Sequence, residues 1–145
     1  QAKDAAVRVL EEALKEVVTQ DPLYWALVNY LVQSFRSKEA WEYAKKLKGS
    51  HTYEADAVHA HLGFVLEAQG DLASALREYK AAAELRPQYT GHRTNVARTY
   101  ERLGNTSSAV RELEEALKIV SGAEAMAIQQ RIQELQQRQV SQTNR

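Results

Sequence analysis

The chain has 145 residues, 44% of them hydrophobic, which is enough for one domain with its own core. Its 19 basic and 19 acidic residues give zero net charge, so nucleic acid is not an expected partner. The sequence has no cysteine, which excludes disulfides, thiolate metal sites and cysteine nucleophiles but leaves the compartment open. No apolar run approaches the roughly 18 residues of a membrane span, so we expect no direct membrane insertion. Because the chain begins with Gln1, we expect a fragment or a processed form, and the sequence assigns no localisation.

The first segment, residues 2–20, predicts one amphipathic helix. Its apolar stripe consists of Ala6, Leu10, Ala13 and Leu14. The same spacing recurs much later, at Ala75, Tyr79, Ala82 and Ala83. This helix is therefore either the second helix of a repeat whose first helix is missing or a native N-terminal packing helix.

Residues 21–55 predict two helices joined by a poorly marked turn. A shift of 35 residues places Tyr24, Leu27, Leu31, Ala40 and Leu47 on His59, Leu62, Leu66, Ala75 and Ala82. At the turn, however, Phe35 and Arg36 take the places of Gly70 and Asp71. The segment is either a degenerate copy of the unit that follows it or an unrelated helical pair.

Residues 56–89 form the clearest unit and predict two antiparallel helices. Leu62, Gly63 and Leu66 make the apolar stripe of the first helix, and Ala75, Leu76, Tyr79, Ala82 and Ala83 make that of the second. Between them Gly70 can adopt the left-handed conformation that closes a helix, and Asp71 can cap the next one. Pro87 ends the second helix because proline cannot continue it.

Residues 90–123 repeat this pattern 34 positions later. Leu62, Gly63, Leu66, Gly70, Asp71, Ala75, Leu76, Tyr79, Ala82 and Leu85 fall on Val96, Ala97, Tyr100, Gly104, Asn105, Ala109, Val110, Leu113, Ala116 and Ile119. A period of 20 to 50 residues is typical of stacked-repeat proteins. Asn105-Thr106-Ser107 is formally a glycosylation acceptor, but it occupies the turn and cap of the repeat.

Residues 124–140 predict a capping helix, followed by a disordered tail at 141–145. Ala125, Ile128, Ile132 and Leu135 make one apolar stripe, and glutamines and charged residues cover the other faces. Such a helix covers the last repeat with one face and exposes the rest to water. The stripe also has coiled-coil spacing, but it is too short to favour dimerisation.

These residues resemble the tetratricopeptide repeat family. Along each repeat that family has, in order, a large residue, the pair L-G, an aromatic residue or Leu, the pair G-D, an Ala, an aromatic residue, a second Ala and a Pro. The match is close from Asp56 to Pro87, good from Thr90 to Ser121 and loose from Asp21 to Tyr53. Ser121 stands where proline is usual, and His59 and Arg93 stand where a Trp-like residue is usual. The resemblance implies an all-α, right-handed superhelical solenoid of antiparallel helix pairs with a C-terminal capping helix, in one domain over 1–145.

Catalysis and metal binding find little support in the sequence. His59 and His61 lie roughly 200° apart on a helix, so they cannot share an ion, while His51 lies in a loop and His92 begins a helix. Glu11 with Lys15, Glu42 with Lys46 and Glu114 with Lys118 are i, i+4 pairs of the kind expected on solvated helix faces. Phosphate-binding loops and nucleophile motifs are missing. We expect no enzyme activity, no metal and no cofactor.

Binding is expected instead on the concave groove that first helices form in such a solenoid. The resemblance assigns Trp25, Asn29, Val32 and Gln33 to it in the loose repeat, Ala60, His61, Phe64, Glu67 and Ala68 in the second, and Thr94, Asn95, Arg98, Glu101 and Arg102 in the third. Phe64 lies off the packing stripe and could anchor a partner, although Phe64 or Trp25 could equally pack against a neighbouring helix. Arg98 and Arg102, one turn apart, could bind carboxylates or belong to a solvated mixed-charge face.

Some family members grip a peptide's terminal carboxylates with a Lys, Asn, Asn, Lys, Arg set. The corresponding residues here are Trp25, Asn29, His61, Gly91 and Asn95. Only Asn29 matches, so we do not expect that mode. The prediction is a scaffold that binds a peptide or helix of a partner protein. Its rivals are self-assembly through the terminal repeats and RNA binding, which zero net charge disfavours.

Overall fold

A computed structural model describes residues 2–16, 21–47 and 54–144. Over these ranges the chain is all-α, and its helices run in the order α1 Ala2–Glu16, α2 Asp21–Gln33, α3 Ser37–Leu47, α4 Ala55–Ala68, α5 Leu72–Leu85, α6 Thr90–Arg102, α7 Thr106–Leu117 and α8 Gly122–Thr143. In this part of the chain no helix is both long and apolar enough to cross a bilayer. The predicted loop around His51 lies outside the described residues.

The helices are distributed over two compact units, Gln1–Glu78 and Tyr79–Arg145. The first unit holds α1 to α4 and the beginning of α5, and the second holds the rest of α5 with α6, α7 and α8. Helix α1 lies within residues 2–20, α2 and α3 lie within 21–55, and α6 and α7 lie within 90–123, whereas α4 begins one residue before 56–89 and α8 extends beyond both ends of 124–140. The organisation of 1–145 as a single domain stays a prediction.

Glycine closes the first helix of each clear repeat, as the sequence predicts. Gly70 has a φ of +83° and Gly104 a φ of +77°. Asp71 and Asn105, which follow them, donate their backbone N–H groups to the carbonyls of Leu66 at 3.0 Å and Tyr100 at 2.9 Å. This six-to-one bond is the Schellman ending of a helix.

The residue after each glycine caps the next helix. The Asp71 carboxylate accepts from the Ser74 N–H at 3.0 Å, and the Asn105 side chain accepts from the Ser108 N–H at 3.1 Å. A side-chain hydrogen bond with Ser74, together with this backbone bond, holds the pKa of the Asp71 carboxyl below its usual value. Asn105 therefore serves as the N-cap of α7, in agreement with the turn interpretation of its sequence.

The degenerate first repeat keeps the same turn without the glycine. Phe35 takes the left-handed conformation, with a φ of +59°, and Arg36 donates its backbone N–H to the Leu31 carbonyl at 2.8 Å. The Phe35 side chain is 94% exposed, so the turn gains almost no burial from it. A bulky residue with positive φ is a genuine backbone outlier.

The core of the first unit lies between α1, α2, α3 and α4. Leu27, Val28 and Leu31 of α2 are fully buried, and so are Ala40 and Ala44 of α3 and Val65 of α4. The α1 helix packs against α2 and contributes Val7 and Leu14. The predicted stripe of α1 is thus partly correct, since Leu14 is buried while Ala6, Leu10 and Ala13 are half-buried.

The α1 helix is also bound to α3 by a polar contact. The Tyr43 hydroxyl of α3 donates a hydrogen bond to the Glu11 carboxylate of α1. That bond, together with burial, raises the pKa of Tyr43 to about 12. The N-terminal helix is therefore an integral part of the first unit.

The core of the second unit lies between α6, α7 and α8. Ala97, Ala109, Leu113 and Ala116 pack against Ile128, Ile132 and Leu135 of α8, which confirms the predicted capping stripe; Ala125 is half-buried. The end of the chain differs from the expected disordered tail at 141–145, because α8 continues to Thr143. The hydroxyls of Ser141 and Thr143 donate to the carbonyls of Gln137 and Gln139, which extends the hydrogen bonding of the last turns.

Candidate functional site

An aromatic cluster joins α2 and α4, which are the first helices of two successive repeats in the first unit. The Trp25 ring of α2 stacks on the His61 ring of α4, with centroids 3.7 Å apart and planes 8° apart. Phe64, one turn further along α4, meets Trp25 edge-on with centroids 5.7 Å apart. All three side chains are half-buried. We call Trp25, His61 and Phe64 the aromatic surface.

The packing alternative applies to Trp25 and Phe64, whose rings meet between α2 and α4, and their role as binding anchors stays a prediction. Trp25 does pack against a neighbouring helix, as the alternative required, because its ring contacts α4. Yet neither ring is fully buried, so the cluster presents aromatic area to solvent. Stacked and edge-on aromatic pairs contribute about 0.5–1.5 kcal/mol beyond burial alone, which keeps the rings in fixed positions.

His61 is an uncharged member of this cluster. Burial lowers its pKa to about 4, since a charged imidazole loses its hydration there. At neutral pH the ring is therefore neutral and stacks on Trp25 as an aromatic surface. The aromatic surface then carries no charge of its own, which favours apolar over acidic ligands.

Polar residues border the aromatic surface on both helices. The Asn29 amide donates from Nδ2 to the Trp25 carbonyl at 3.1 Å, which fixes its orientation. Gln33, one turn further on, is exposed, and Glu67 of α4 is half-buried. Asn29 and Gln33 lie four and eight residues after Trp25, so all three share one face of α2.

The third-repeat positions lie in the second unit, on α6. Arg98 and Arg102 are exposed and one helical turn apart, while Asn95 is half-buried. The backbone carbonyl of Asn95 accepts the Thr99 hydroxyl at 2.8 Å, and the Thr94 hydroxyl donates to the Gly91 carbonyl at 2.9 Å. This face of α6 presents two cations.

Glu101, also predicted to face the groove, is bound to the capping helix. Arg131 of α8 donates two bonds to its carboxylate, from Nε at 3.2 Å and from Nη2 at 2.5 Å. Arg131 also donates to Glu134 at 2.9 Å, and the two carboxylates raise the pKa of Arg131. Glu101 therefore binds α6 to the capping helix α8.

Sequence analysis missed Arg131 as a partner of Glu101. A signal was present, because Arg131 stands 34 residues after Ala97, at the position that Gly63 and Ala97 fill with small residues. A long charged side chain at a position where small residues let helices pack closely indicates a polar contact in place of close helix packing. Its target could not be read from spacing alone.

Metal binding finds no geometric support among residues 2–16, 21–47 and 54–144. Within them no three His, Cys, Asp or Glu side chains gather closely enough to hold an ion. Instead, the acidic and basic side chains form pairs between and within helices, such as Arg36 with Glu39 and Arg93 with Glu112.

The sequence matches no protein-family model and no curated protein. Solved structures do resemble it. The crystal structure of MamA covers 96% of this chain and 91% of its own, with 16% identity and a TM-score of 0.66. The Yersinia enterocolitica type III secretion translocator chaperone SycD covers 87% and 90%, with 15% identity and a TM-score of 0.69.

A third similar structure is YrrB, described as a TPR protein with an unusual peptide-binding site. It matches 89% of this chain and 66% of its own, with 22% identity and a TM-score of 0.67. At such identities the likeness concerns the fold. Together with the helix pairs, the glycine turns and the capping helix described above, it shows that this chain has the tetratricopeptide-repeat fold.

Proposed function

We propose that this chain is a non-catalytic scaffold that binds an apolar or aromatic segment of a partner protein on the aromatic surface. The observation that carries the proposal is the half-exposed cluster of Trp25, His61 and Phe64 on two first helices. Aromatic anchors surrounded by polar residues are typical of binding hot spots. YrrB, described as a peptide-binding protein of this fold, supports the same class of function.

The chemistry of the surface defines the preferred ligand. Neutral His61 and the two other rings favour an apolar or aromatic side chain, and Asn29 and Gln33 offer hydrogen bonds to a peptide backbone beside it. In the second unit, we assign carboxylate binding to Arg98 and Arg102, which are exposed and one turn apart on α6. Self-assembly is the alternative function.

The direct test is selection of peptides from a random library against the whole chain, followed by affinity measurement. The chain has two tryptophans, so a Trp41→Phe background leaves Trp25 as the only tryptophan, which can be excited selectively over the tyrosines. A selected peptide should change the Trp25 emission as it binds. Phe64→Ala should weaken binding by about tenfold or more, and Gln33→Arg should interfere without touching the packed rings.

Phe35→Ala is the matched control, because it removes an aromatic ring that is 94% exposed and does not belong to the aromatic surface. Circular dichroism should first show that every variant is equally helical. If peptides bind Phe64→Ala and Gln33→Arg as tightly as Phe35→Ala, the aromatic surface is not the binding site. Sedimentation of the chain alone, with mass rising with concentration, would favour self-assembly.

A further inference from the structure

The two helices that form the aromatic surface carry charge of one sign only. From residue 23 to residue 33, α2 has no charged side chain, and α4 has no lysine or arginine along Ala55–Ala68. The acidic residues of α4 are Asp56, which is buried, and Glu67, which is half-buried. The fixed charge that α4 contributes is therefore negative, and Glu67 is the part of it that reaches solvent.

The cations closest to this surface along the chain are already bound to carboxylates. The His59 Nδ1 lies 2.6 Å from a carboxylate oxygen of Glu78 on α5. Arg36, the first cation after α2, donates to both carboxylate oxygens of Glu39 at 2.6 Å. His61 itself is neutral at neutral pH, because burial lowers its pKa to about 4. A positively charged ligand would therefore meet little repulsion at the aromatic surface.

The aromatic rings also keep a face for such a ligand. Phe64 meets Trp25 edge-on, with ring planes 63° apart, and an edge-on contact covers at most one face of either ring. Phe64 therefore keeps a ring face that Trp25 does not cover, and its side chain is only half-buried. The faces of aromatic rings carry negative charge density and attract cations within about 6 Å.

Hydrogen-bond acceptors lie beside the rings on both helices. Glu67 follows Phe64 by three residues, so the two side chains are neighbours on one side of α4. On α2, Asn29 uses Nδ2 to donate to the Trp25 carbonyl at 3.1 Å, which leaves its Oδ1 as an acceptor. Gln33 is exposed one turn further on. A ligand that combines positive charge with several donors matches this set.

We infer that the aromatic surface recognises an arginine side chain within the apolar or aromatic segment that it binds, with the guanidinium stacked on the Phe64 ring and donating to Glu67 and Asn29. The arginine preference rests on the proposed function, because it specifies the segment that the same surface binds. Arginine has a planar, weakly hydrated head that stacks on aromatic rings, and an apolar stem. A glutamate or aspartate of the partner would instead be repelled by Glu67.

The probes are four tripeptides, blocked at both ends, with arginine, citrulline, leucine or glutamate between two leucines. Citrulline keeps the planar shape of arginine without its charge. Each peptide is titrated into the isotope-labelled whole chain, and its dissociation constant is taken from the NMR shift of the Trp25 indole N–H signal. Comparison with Trp41→Phe assigns that signal.

The arginine peptide should bind about fivefold more tightly than the citrulline peptide, because only the charged head gains a cation–π contact and a charge-assisted hydrogen bond. The leucine peptide should bind more weakly than the arginine peptide, and the glutamate peptide most weakly. Glu67→Gln should remove most of the difference between arginine and citrulline and leave the leucine peptide unaffected. Glu114→Gln is the matched control, since it neutralises an exposed carboxylate on α7 of the second unit, and it should change none of these affinities.

Circular dichroism should first show that the variants are as helical as the wild-type chain. If Glu67→Gln does not fold, Gln33→Lys decides the question, because Gln33 is exposed and a lysine there adds a cation beside the rings. Gln33→Lys should weaken binding of the arginine peptide by about threefold and leave the leucine peptide unaffected.

An arginine peptide that binds no more tightly than the citrulline peptide would overturn the arginine preference. So would an arginine advantage that survives both Glu67→Gln and Gln33→Lys. If the leucine peptide binds at least as tightly as the arginine peptide and Phe64→Ala weakens it, the arginine preference is wrong and the proposed function stands. If no peptide of the set shifts the Trp25 signal, the arginine preference is wrong as well, and selection from the random library decides the proposed function separately.

Discussion

The strained turn between α2 and α3 predicts that replacing a phenylalanine by glycine stabilises the protein. Phe35 has a φ of +59°, and the left-handed conformation costs a residue with a Cβ about 1–2 kcal/mol. Glycine avoids that cost but has more freedom in the unfolded chain, which offsets about 0.4–1 kcal/mol. Loss of the ring itself has little effect, because the side chain is 94% exposed and only about 0.3 kcal/mol of apolar burial is at stake.

We therefore expect Phe35→Gly to raise the free energy of unfolding of the first unit by about 0.5 kcal/mol. Phe35→Ala is the sharper comparison, because alanine lacks the ring but keeps the strained backbone. The glycine variant should exceed the alanine variant by about 1 kcal/mol. Urea unfolding followed by tryptophan fluorescence measures both, since Trp25 and Trp41 lie in the first unit.

The hydrogen bonds of the turn should survive the substitution. Phe35 and Arg36 donate backbone N–H groups to the carbonyls of Val32 and Leu31, and glycine retains the first of these donors. A glycine variant that is no more stable than the alanine variant would refute the reasoning, because it would show that the turn is not strained in solution.

Three further predictions concern the second unit and the aromatic surface. Gly104→Ala should destabilise the second unit by about 1 kcal/mol, because the backbone φ of Gly104 is +77°. The added Cβ would meet no atom within 4 Å, so the loss comes from backbone strain and not from a clash. An unchanged urea midpoint by circular dichroism would contradict this. Asn105→Ala should cost about 1 kcal/mol through loss of the α7 cap, and Asn105→Asp should retain the cap. Burial lowers the pKa of His61 to about 4, so the contribution of His61 to stability should fall by up to about 3 kcal/mol as the pH drops from about 6.5 to 4. His61→Gln should lack this part of the acid dependence in urea titrations. An acid dependence identical to that of the wild-type chain would show that the ring is not buried.

The repeat pattern was predictable from sequence because it depends on local chemistry. Gly70 and Gly104 end helices since glycine readily takes positive φ, and Asp71 and Asn105 cap the next helix with a bond only three residues away. The stripes of α4 and α8 follow from helical periodicity, and they are buried as predicted. Period and turn chemistry together were enough to define the helix pairs and to indicate their fold.

The terminal helix shows where local signals stop being sufficient. The sequence predicted its apolar stripe but not its last residue, because the polar residues after 140 are compatible with either a helical or an irregular conformation. Hydrogen bonds from Ser141 and Thr143 to the preceding turn extend α8 to Thr143. Helix ends of this kind depend on small balances between side-chain and backbone bonding.

The candidate site depended on contacts between residues far apart in the chain. Sequence placed Trp25, His61 and Phe64 on first helices, but only the packing of α2 against α4 stacks Trp25 on His61 and makes that imidazole neutral. Contacts between other helices likewise bring Glu101 of α6 to Arg131 of α8 and His59 of α4 to Glu78 of α5. Periodicity fixes which face of a helix a residue occupies, whereas the separation and angle between helices fix which side chains touch, and those are properties of the tertiary structure.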